Sequence, residues 1–342
     1  MSQTVFVTGA TGYIAKHLVL QLLNAGFNVI GSTRSAERDA ELRAAVSPHL
    51  EAADGLETRL RTVTLDLTRD EGWTEALSGA DVLMHTASPF PLSQPKDEND
   101  LITPAVQGTL RALKAADASG IKRVILTSST VAVASGPTPA RGHYTEDDWS
   151  DLTHPMTNAY AKSKTMAERA AWDFIAADAP HMQLTTINPG LVLGAPLDEN
   201  FGTSIQLIER LMKGRDPMVP NFGFAAVDVK DVAAMHISAL KAPEAAGERI
   251  LAVAGSLWFK DIAETLAAAY PDRKIPTRTA PSFLMRALGL FDPAVRSILP
   301  QLGQCPKISN EKAKTLLGME FRSMDDAIRS SAAFLMSKKL LR

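Results

Sequence analysis

The sequence predicts an α/β fold built on a doubly wound parallel sheet, and three observations predict it. Over roughly the first 190 residues, short apolar runs alternate with segments of helical spacing. The first run leads at once into a glycine-bearing turn that opens the first helical segment. Past Gly194 the alternation stops, and ten prolines from Pro196 to Pro306 break the chain into short helices and loops. The 342 residues therefore divide into 1–190, which carries the sheet, and 191–342. The second part reads as a smaller, mostly helical lobe that does not fold alone and returns strands to the first.

The strand-like runs are 5–8, 29–33, 60–65, 82–86, 124–128 and 184–188. Several are continuously apolar, as strands covered on both faces must be. Between them, Ile14, Leu18, Leu22 and Leu23 share one helical face, as do Leu101, Val106, Leu110 and Leu113. Strand, helix, strand repeated in this way closes a parallel sheet by right-handed crossovers. In the second part only 226–229 and 250–254 look like strands, and 285–291 reads as a core or lid helix. The stretch 137–155 has no period and reads as a long loop.

Composition excludes several classes. With 45% apolar and 22% charged residues the chain can bury a core, and 21 glycines with 20 prolines are too few for a collagenous or low-complexity protein. A net charge of −2 leaves no basic footprint for nucleic acid. One cysteine, Cys305, permits neither an internal disulfide nor a cysteine metal site. The histidines form no pair three or four residues apart, so no metal is expected, and His85 reads as a packed core residue. No apolar run reaches the ~20 residues of a membrane span. The chain enters its first strand without a basic and apolar leader, so a cytoplasmic protein is expected. The slightly basic end, 337–342, reads as a solvated helix end. A small-molecule ligand and a monomer or homodimer are expected.

The turn Gly9-Ala10-Thr11-Gly12-Tyr13-Ile14-Ala15 follows the strand Val5-Phe6-Val7-Thr8. Gly9 allows the tight turn, and Gly12 lets backbone N–H groups approach a pyrophosphate at the positive helix end. Ala15 permits close helix–strand packing. This is a Rossmann-type dinucleotide turn. In NAD-binding proteins an acid about twenty residues on takes the ribose 2′-hydroxyl. Here the second strand ends Gly31-Ser32-Thr33-Arg34-Ser35, with Arg38 one helical turn beyond Arg34. Guanidinium groups clamp phosphates in bidentate fashion, so NADP(H) is the expected cofactor. Glu37 lies between the two arginines as a confounder. Asp66 and Leu67, after the third strand, would flank the adenine.

Tyr160 and Lys164 lie at i and i+4 on one helix face. A neighbouring ammonium favours phenolate, so the tyrosine pKa is expected to fall toward neutrality and suit proton transfer to a carbonyl oxygen. Lys164 would also bond the nicotinamide ribose. The fifth strand ends in Thr127-Ser128-Ser129, at the sheet edge where such folds bind ligands. Asn188-Pro189-Gly190-Leu191-Val192 and His85-Thr86-Ala87-Ser88-Pro89 leave the sheet at the same edge, giving Pro189, Gly190, Val192, Ala87, Ser88 and Pro89 as cofactor contacts. Phe90 and Thr130 are the expected substrate contacts. Trp149 is a further candidate for the pocket wall.

On 7–15, Arg34, Asp66-Leu67, Ala87-Ser88-Pro89, Thr127-Ser128-Ser129, Glu146-Asp147-Asp148-Trp149, 160–168 and 227–232, the chain resembles the extended short-chain dehydrogenase/reductases. Within that superfamily, whose fold is of the NAD-dependent epimerase/dehydratase type, it is similar to the dihydroflavonol 4-reductase-like aldehyde and ketone reductases. The resemblance implies NADPH, reduction of an aldehyde or ketone, Tyr160 as acid, Lys164 as its activator and a serine that falls on Ser129, with Ser128 one register away. It places the 2′-phosphate arginine on Arg34. Two departures stand out. Gln107 precedes Gly108-Thr109 where plant members have asparagine. Thr157-Asn158-Ala159-Tyr160 replaces the aromatic run of the plant cinnamoyl-CoA reductases, which argues against a coenzyme A thioester.

Three rival readings share much of this pattern. Dehydratases carry an Asp-Glu pair, and sugar epimerases a Val-Tyr-Gly continuation, where this chain reads Thr130-Val131-Ala132-Val133. A 3β-hydroxysteroid-type dehydrogenase would share every site residue and differ in flux direction. A cofactor-sensing protein without turnover commonly lacks the tyrosine or lysine present here.

Overall fold

The computed structural model describes residues 2–52, 55–89, 95 and 97–341. The described residues form ten strands: β1 Thr4–Thr8, β2 Asn28–Thr33, β3 Leu60–Thr64, β4 Val82–His85, β5 Arg123–Thr127, β6 Gln183–Pro189, β7 Leu191–Leu193, β8 Gly223–Asp228, β9 Arg249–Ala252 and β10 Gly255–Trp258. Seven of them form one sheet in the order β3-β2-β1-β4-β5-β6-β9, with every neighbour pair parallel. The strand order reverses between β1 and β4, so the connections leaving their carboxyl ends run to opposite faces of the sheet and leave between them the crevice in which such sheets bind ligands.

Each face of the sheet has its own core. The helices Tyr13–Asn24 and Val229–Lys241 cover one face through Val19, Leu22, Val232 and Met235. The helices Asn99–Ala118 and Ala159–Ala177 cover the other through Leu113, Ala116, Ala171 and Phe174. Double coverage is why β1, β4 and β5 read as unbroken apolar runs. No helix among the described residues is long and apolar enough to cross a membrane.

The second part of the chain builds a three-stranded sheet, β10-β8-β7, with a third core around Ile208, Ile262 and Ile328. It also returns β9 to the edge of the main sheet beside β6. Loop residues after β7 fasten it to the start of the first helix. Tyr13 donates to the Gly194 carbonyl at 2.7 Å, and the buried Lys16 ammonium pairs with Asp198 and donates to the Asn200 carbonyl at 3.0 Å. The segment 285–291 is not a core helix. Only Met285 of the helix Ser282–Leu288 is buried, whereas Leu290 and Phe291 are 71% and 86% exposed.

Gly190 links β6 to β7 directly against β8. A Cβ there would lie 2.2 Å from the Ala225 carbonyl oxygen, a backbone atom that cannot rotate away. Gly190→Ala should therefore lower stability by about 1–3 kcal/mol. Urea titration would show this as a lower midpoint at unchanged slope; an unmoved midpoint would mean that the crossing is looser than described.

Candidate active site

The glycine turn is held from both sides. Gly9 has φ +61°, and an added Cβ would meet the Ala87 Cβ at 3.1 Å, so glycine serves both the left-handed conformation and the close approach of the β4 exit. The Gly9 N–H donates to the Ser32 hydroxyl at 2.9 Å, and the Gly12 N–H to the Gly9 carbonyl at 2.9 Å. Thr11 gives its carbonyl to the Asn200 amide at 3.3 Å. The Thr8 hydroxyl oxygen accepts from the Thr86 and Ala87 N–H groups at 2.9 and 3.0 Å. Its single proton is left for His85 Nδ1, 2.9 Å away. That makes His85 a neutral ring, and burial, together with the nearby Lys164 charge, lowers its pKa to about 3. The cradle of Gly9, Gly12, Tyr13 and Ile14 lines a cavity at the amino end of the first helix, and the missing side chains of its two glycines leave the close backbone approach that fits a dinucleotide pyrophosphate.

At the tip of β2, Arg34 is exposed and close enough to Asp66 to favour its carboxylate, although the Thr68 hydrogen bonds lower the Asp66 pKa more. Arg38 makes an exposed ion pair with Glu41 at 2.7 Å, a contact weak enough to yield to a phosphate. The Glu37 carboxylate is engaged by the Ser35 hydroxyl at the start of the helix Ala36–Val46. Leu67 packs where a side chain on Gly108 would fall.

Tyr160 and Lys164 project from the helix Ala159–Ala177, whose first turn is capped by Asn158 accepting from the Ala161 N–H at 3.0 Å. Ser129 hydrogen-bonds the Tyr160 phenol. The hydroxyl of Ser128 instead donates to Glu168, so the two serines have separate partners. The expected fall in the tyrosine pKa does not occur. Burial pushes the phenol up to about 12 against a smaller lowering by Ser129, and burial also brings the Lys164 ammonium down to about 8. In a low-dielectric site the charged form of each group is disfavoured, and this outweighs their mutual attraction. The phenol therefore stays protonated through neutral pH, and Lys164 is the group that titrates near it.

Both groups open into one cavity of about 1010 Å³ shared with the glycine cradle. Thr86, Ser88, Thr127, Pro189, Gly190 and Val192 line its cofactor side, and Pro89 follows Ser88 half-buried. Thr127 contributes no free hydroxyl, since its Oγ1 is bonded to His236 Nε2 at 2.7 Å on the far side of β5. Thr130, Val131, Tyr144, Phe224, Trp258 and Cys305 line the other end. Of these only Thr130 was expected from the sequence. Phe90 lies outside the described residues. Trp149 does not line the cavity; its ring lies against the guanidinium groups of Arg249, 3.7 Å from the centroid, and Arg169, 5.0 Å from it.

A glycine cradle at the β1/β4 switch, with serine, tyrosine and lysine on the same sheet edge, defines a dinucleotide-binding protein of the extended short-chain dehydrogenase/reductase type. The family model described as the NAD dependent epimerase/dehydratase family matches residues 5–254, and the chain belongs to that family. It is 31% identical to the ketoreductase azaE of Aspergillus niger over 99% of both chains. It is 32% identical to the cinnamoyl-CoA reductase CAD2 of Medicago truncatula, over 99% of this chain and 97% of that one. The yeast methylglyoxal/isovaleraldehyde reductase Gre2, solved in complex with NADPH, has the same fold at a TM-score of 0.81 and 27% identity, covering 99% of this chain and 100% of that one.

The buried lysine has a consequence for stability. Below about pH 8 both folded and unfolded chains carry this ammonium charged, and folding desolvates it. As pH rises from there to 10.5, the unfolded chain holds the proton more tightly, so the penalty fades and stability rises. Lys164→Met should accordingly raise stability at pH 7 by roughly 1–3 kcal/mol, a gain that shrinks to nothing by about pH 10.5. Paired denaturation curves across that range check this; a loss at pH 7 would contradict the assigned burial cost.

Proposed function

We propose that the protein is an NADPH-dependent carbonyl reductase that converts an aldehyde or ketone to an alcohol. The observation that carries this reading is the Tyr160 phenol, protonated and bonded to Ser129, in the same cavity as Lys164 and the glycine cradle. Its relatives support the reaction class: the Aspergillus protein is named a ketoreductase, and the yeast structure is that of an aldehyde reductase holding NADPH.

Gly9, Thr11, Gly12, Tyr13 and Ile14 would seat the pyrophosphate, and Arg34 with Arg38 the 2′-phosphate. Asp66 and Leu67 flank the adenine. Ala87, Ser88 and Pro89, with Thr127, Pro189, Gly190 and Val192, border the nicotinamide half. Bound NADPH supplies a hydride to the carbonyl carbon. Ser129 orients the carbonyl oxygen toward Tyr160, which gives it the phenolic proton. The protonated Lys164 then stabilises the phenolate left behind and bonds the nicotinamide ribose. Thr130 contacts the substrate. Walls such as Val131 and Phe224 exclude water from the reacting centre.

Three outcomes test this reading. An NADPH-oxidation screen over aldehydes, α-keto esters, aryl ketones and dihydroflavonols should find turnover, and Tyr160→Phe should lower it by about 10²–10⁴-fold. Full activity in that variant would sink the mechanism. Reduction should decline as pH rises through about 8, where the cofactor-free protein loses the Lys164 proton. Arg34→Ala should weaken NADPH binding by roughly 10–100-fold and leave NADH binding nearly unchanged. A wild-type protein that binds NADH as tightly as NADPH would overturn the cofactor assignment.

A further inference from the structure

Beneath Lys164 lies a buried polar cluster to which no role has yet been given. Glu168, one turn further along the same helix, is 1% exposed and meets four donors. Its Oε2 accepts from the Ser128 hydroxyl and from Asn188 Nδ2 at 2.7 Å. Its Oε1 accepts from the Thr186 hydroxyl at 3.2 Å and from Arg249 Nε at 2.7 Å. Asn188 Nδ2 also reaches the Ser129 carbonyl at 3.2 Å. One carboxylate thus ties the catalytic helix to β6, to β9 and to the turn that carries Ser129.

Arg249 continues the chain outward. Its Nη1 donates to the Glu146 and Asp148 carbonyls at 2.6 and 2.8 Å, and its guanidinium stacks on Trp149. The Glu146 carboxylate accepts from the Leu251 N–H at 3.3 Å, on β9 itself. These three loop residues, Glu146, Asp148 and Trp149, belong to the segment that contributes Pro137, Thr138, Tyr144 and His154 to the cavity wall.

We propose that the buried Glu168–Arg249 ion pair is a positioning device for the reduction: Glu168 holds Lys164 and the Ser128-Ser129 turn in register with Tyr160, and Arg249 anchors the substrate-wall loop to that same carboxylate. The inference rests on the reductase reading of the site. Glu168 and Arg249 are positioning residues, since both act through Lys164, Ser129 and the loop.

A purely structural ion pair would behave differently in its effect on titration. The charged and titratable groups facing Lys164 are His85 from β4, Tyr160 and Glu168 from its own helix and, across Glu168, Arg249 from β9. The buried face of the neighbouring helix Asn99–Ala118 presents no ionisable side chain. Of these groups Glu168 is the one that favours the charged ammonium. Removing its charge makes Lys164 lose its proton at lower pH.

The test uses the full chain in three forms beside wild type. Glu168→Gln leaves Arg249 buried without its partner, so the double variant Glu168→Gln/Arg249→Met guards against simple unfolding; neutral pairs often replace buried ion pairs without loss of stability. Arg249→Lys keeps the charge and drops the forked contacts to the loop. Melting temperature, NADPH affinity, kcat, KM and the pH profile of kcat/KM are measured for each.

The expected double variant folds, binds NADPH and loses roughly 10–100-fold in kcat. Its alkaline limb moves to lower pH, and that of Glu168→Gln moves further, by about one pH unit. Arg249→Lys keeps the limb in place and raises KM several-fold. A folded double variant with wild-type kcat and limb overturns the role of Glu168, and an Arg249→Lys protein with wild-type KM overturns that of the loop anchor. Absence of any NADPH-dependent reduction by the wild-type chain would instead refute the reductase reading on which both stand.

Discussion

A carboxylate with almost no exposure is tolerable only when every lone pair is met, and Glu168 organises the carboxyl edge of the sheet around that requirement. Its donors come from the end of β5, from two positions on β6 and from the first residue of β9. The ladder itself runs to this edge, where the Ser128 N–H donates to the Ile187 carbonyl at 2.8 Å and the Gly190 N–H to the Ala252 carbonyl at 3.2 Å. A shared carboxylate adds side-chain ties between the same strand ends, and Tyr160 and Lys164 sit on the helix that supplies it. The serine turn, the catalytic helix and the returning strand are thereby fixed to one another before any ligand arrives, as preorganised sites require.

The other half of the site is built on a different constraint. At the β1/β4 crevice two backbone segments come close to one another, and Gly9 is the residue that permits it. Gly9 leaves no room for a Cβ against Ala87, and the Thr8 hydroxyl takes up two N–H groups that would otherwise be stranded at the β4 exit. His85 joins the two halves. Its Nδ1 faces Thr8, and its ring feels the charge of Lys164.

Much of this was legible in the sequence, for physical reasons that also mark where reading stops. The six runs between residues 5 and 188 fall on β1 to β6, and β1, β4 and β5 read as continuous because both their faces are covered, whereas the edge strand β3 is only partly buried. β7 and β10, of three and four residues, are too short to leave a period. Arg249 carries no local pattern at all, since its partners lie 81 and about 100 residues away in the chain. Trp149 was a candidate for the pocket because aromatic residues often line one, and only the two stacked guanidinium groups reveal its place. Ser128 and Ser129 are neighbours in sequence and differ in partner, Glu168 for the one and Tyr160 for the other, which no local pattern announces. The protonation of Tyr160 followed burial, a quantity that spacing along a helix does not encode.

Transfer of a hydride to a carbonyl carbon is the central claim, and isotope transfer tests it most directly. Wild-type protein would be supplied with NADPH deuterated at either the pro-R or the pro-S position of C4, together with an aldehyde or ketone that it turns over. One of the two stereoisomers should deliver its deuterium stoichiometrically to the carbinol carbon of the alcohol, with none lost to water. Deuterium retained on the cofactor from both stereoisomers, released to solvent, or passed through to a product of unchanged oxidation state would contradict a reductase and return the site to an epimerase or a sensor.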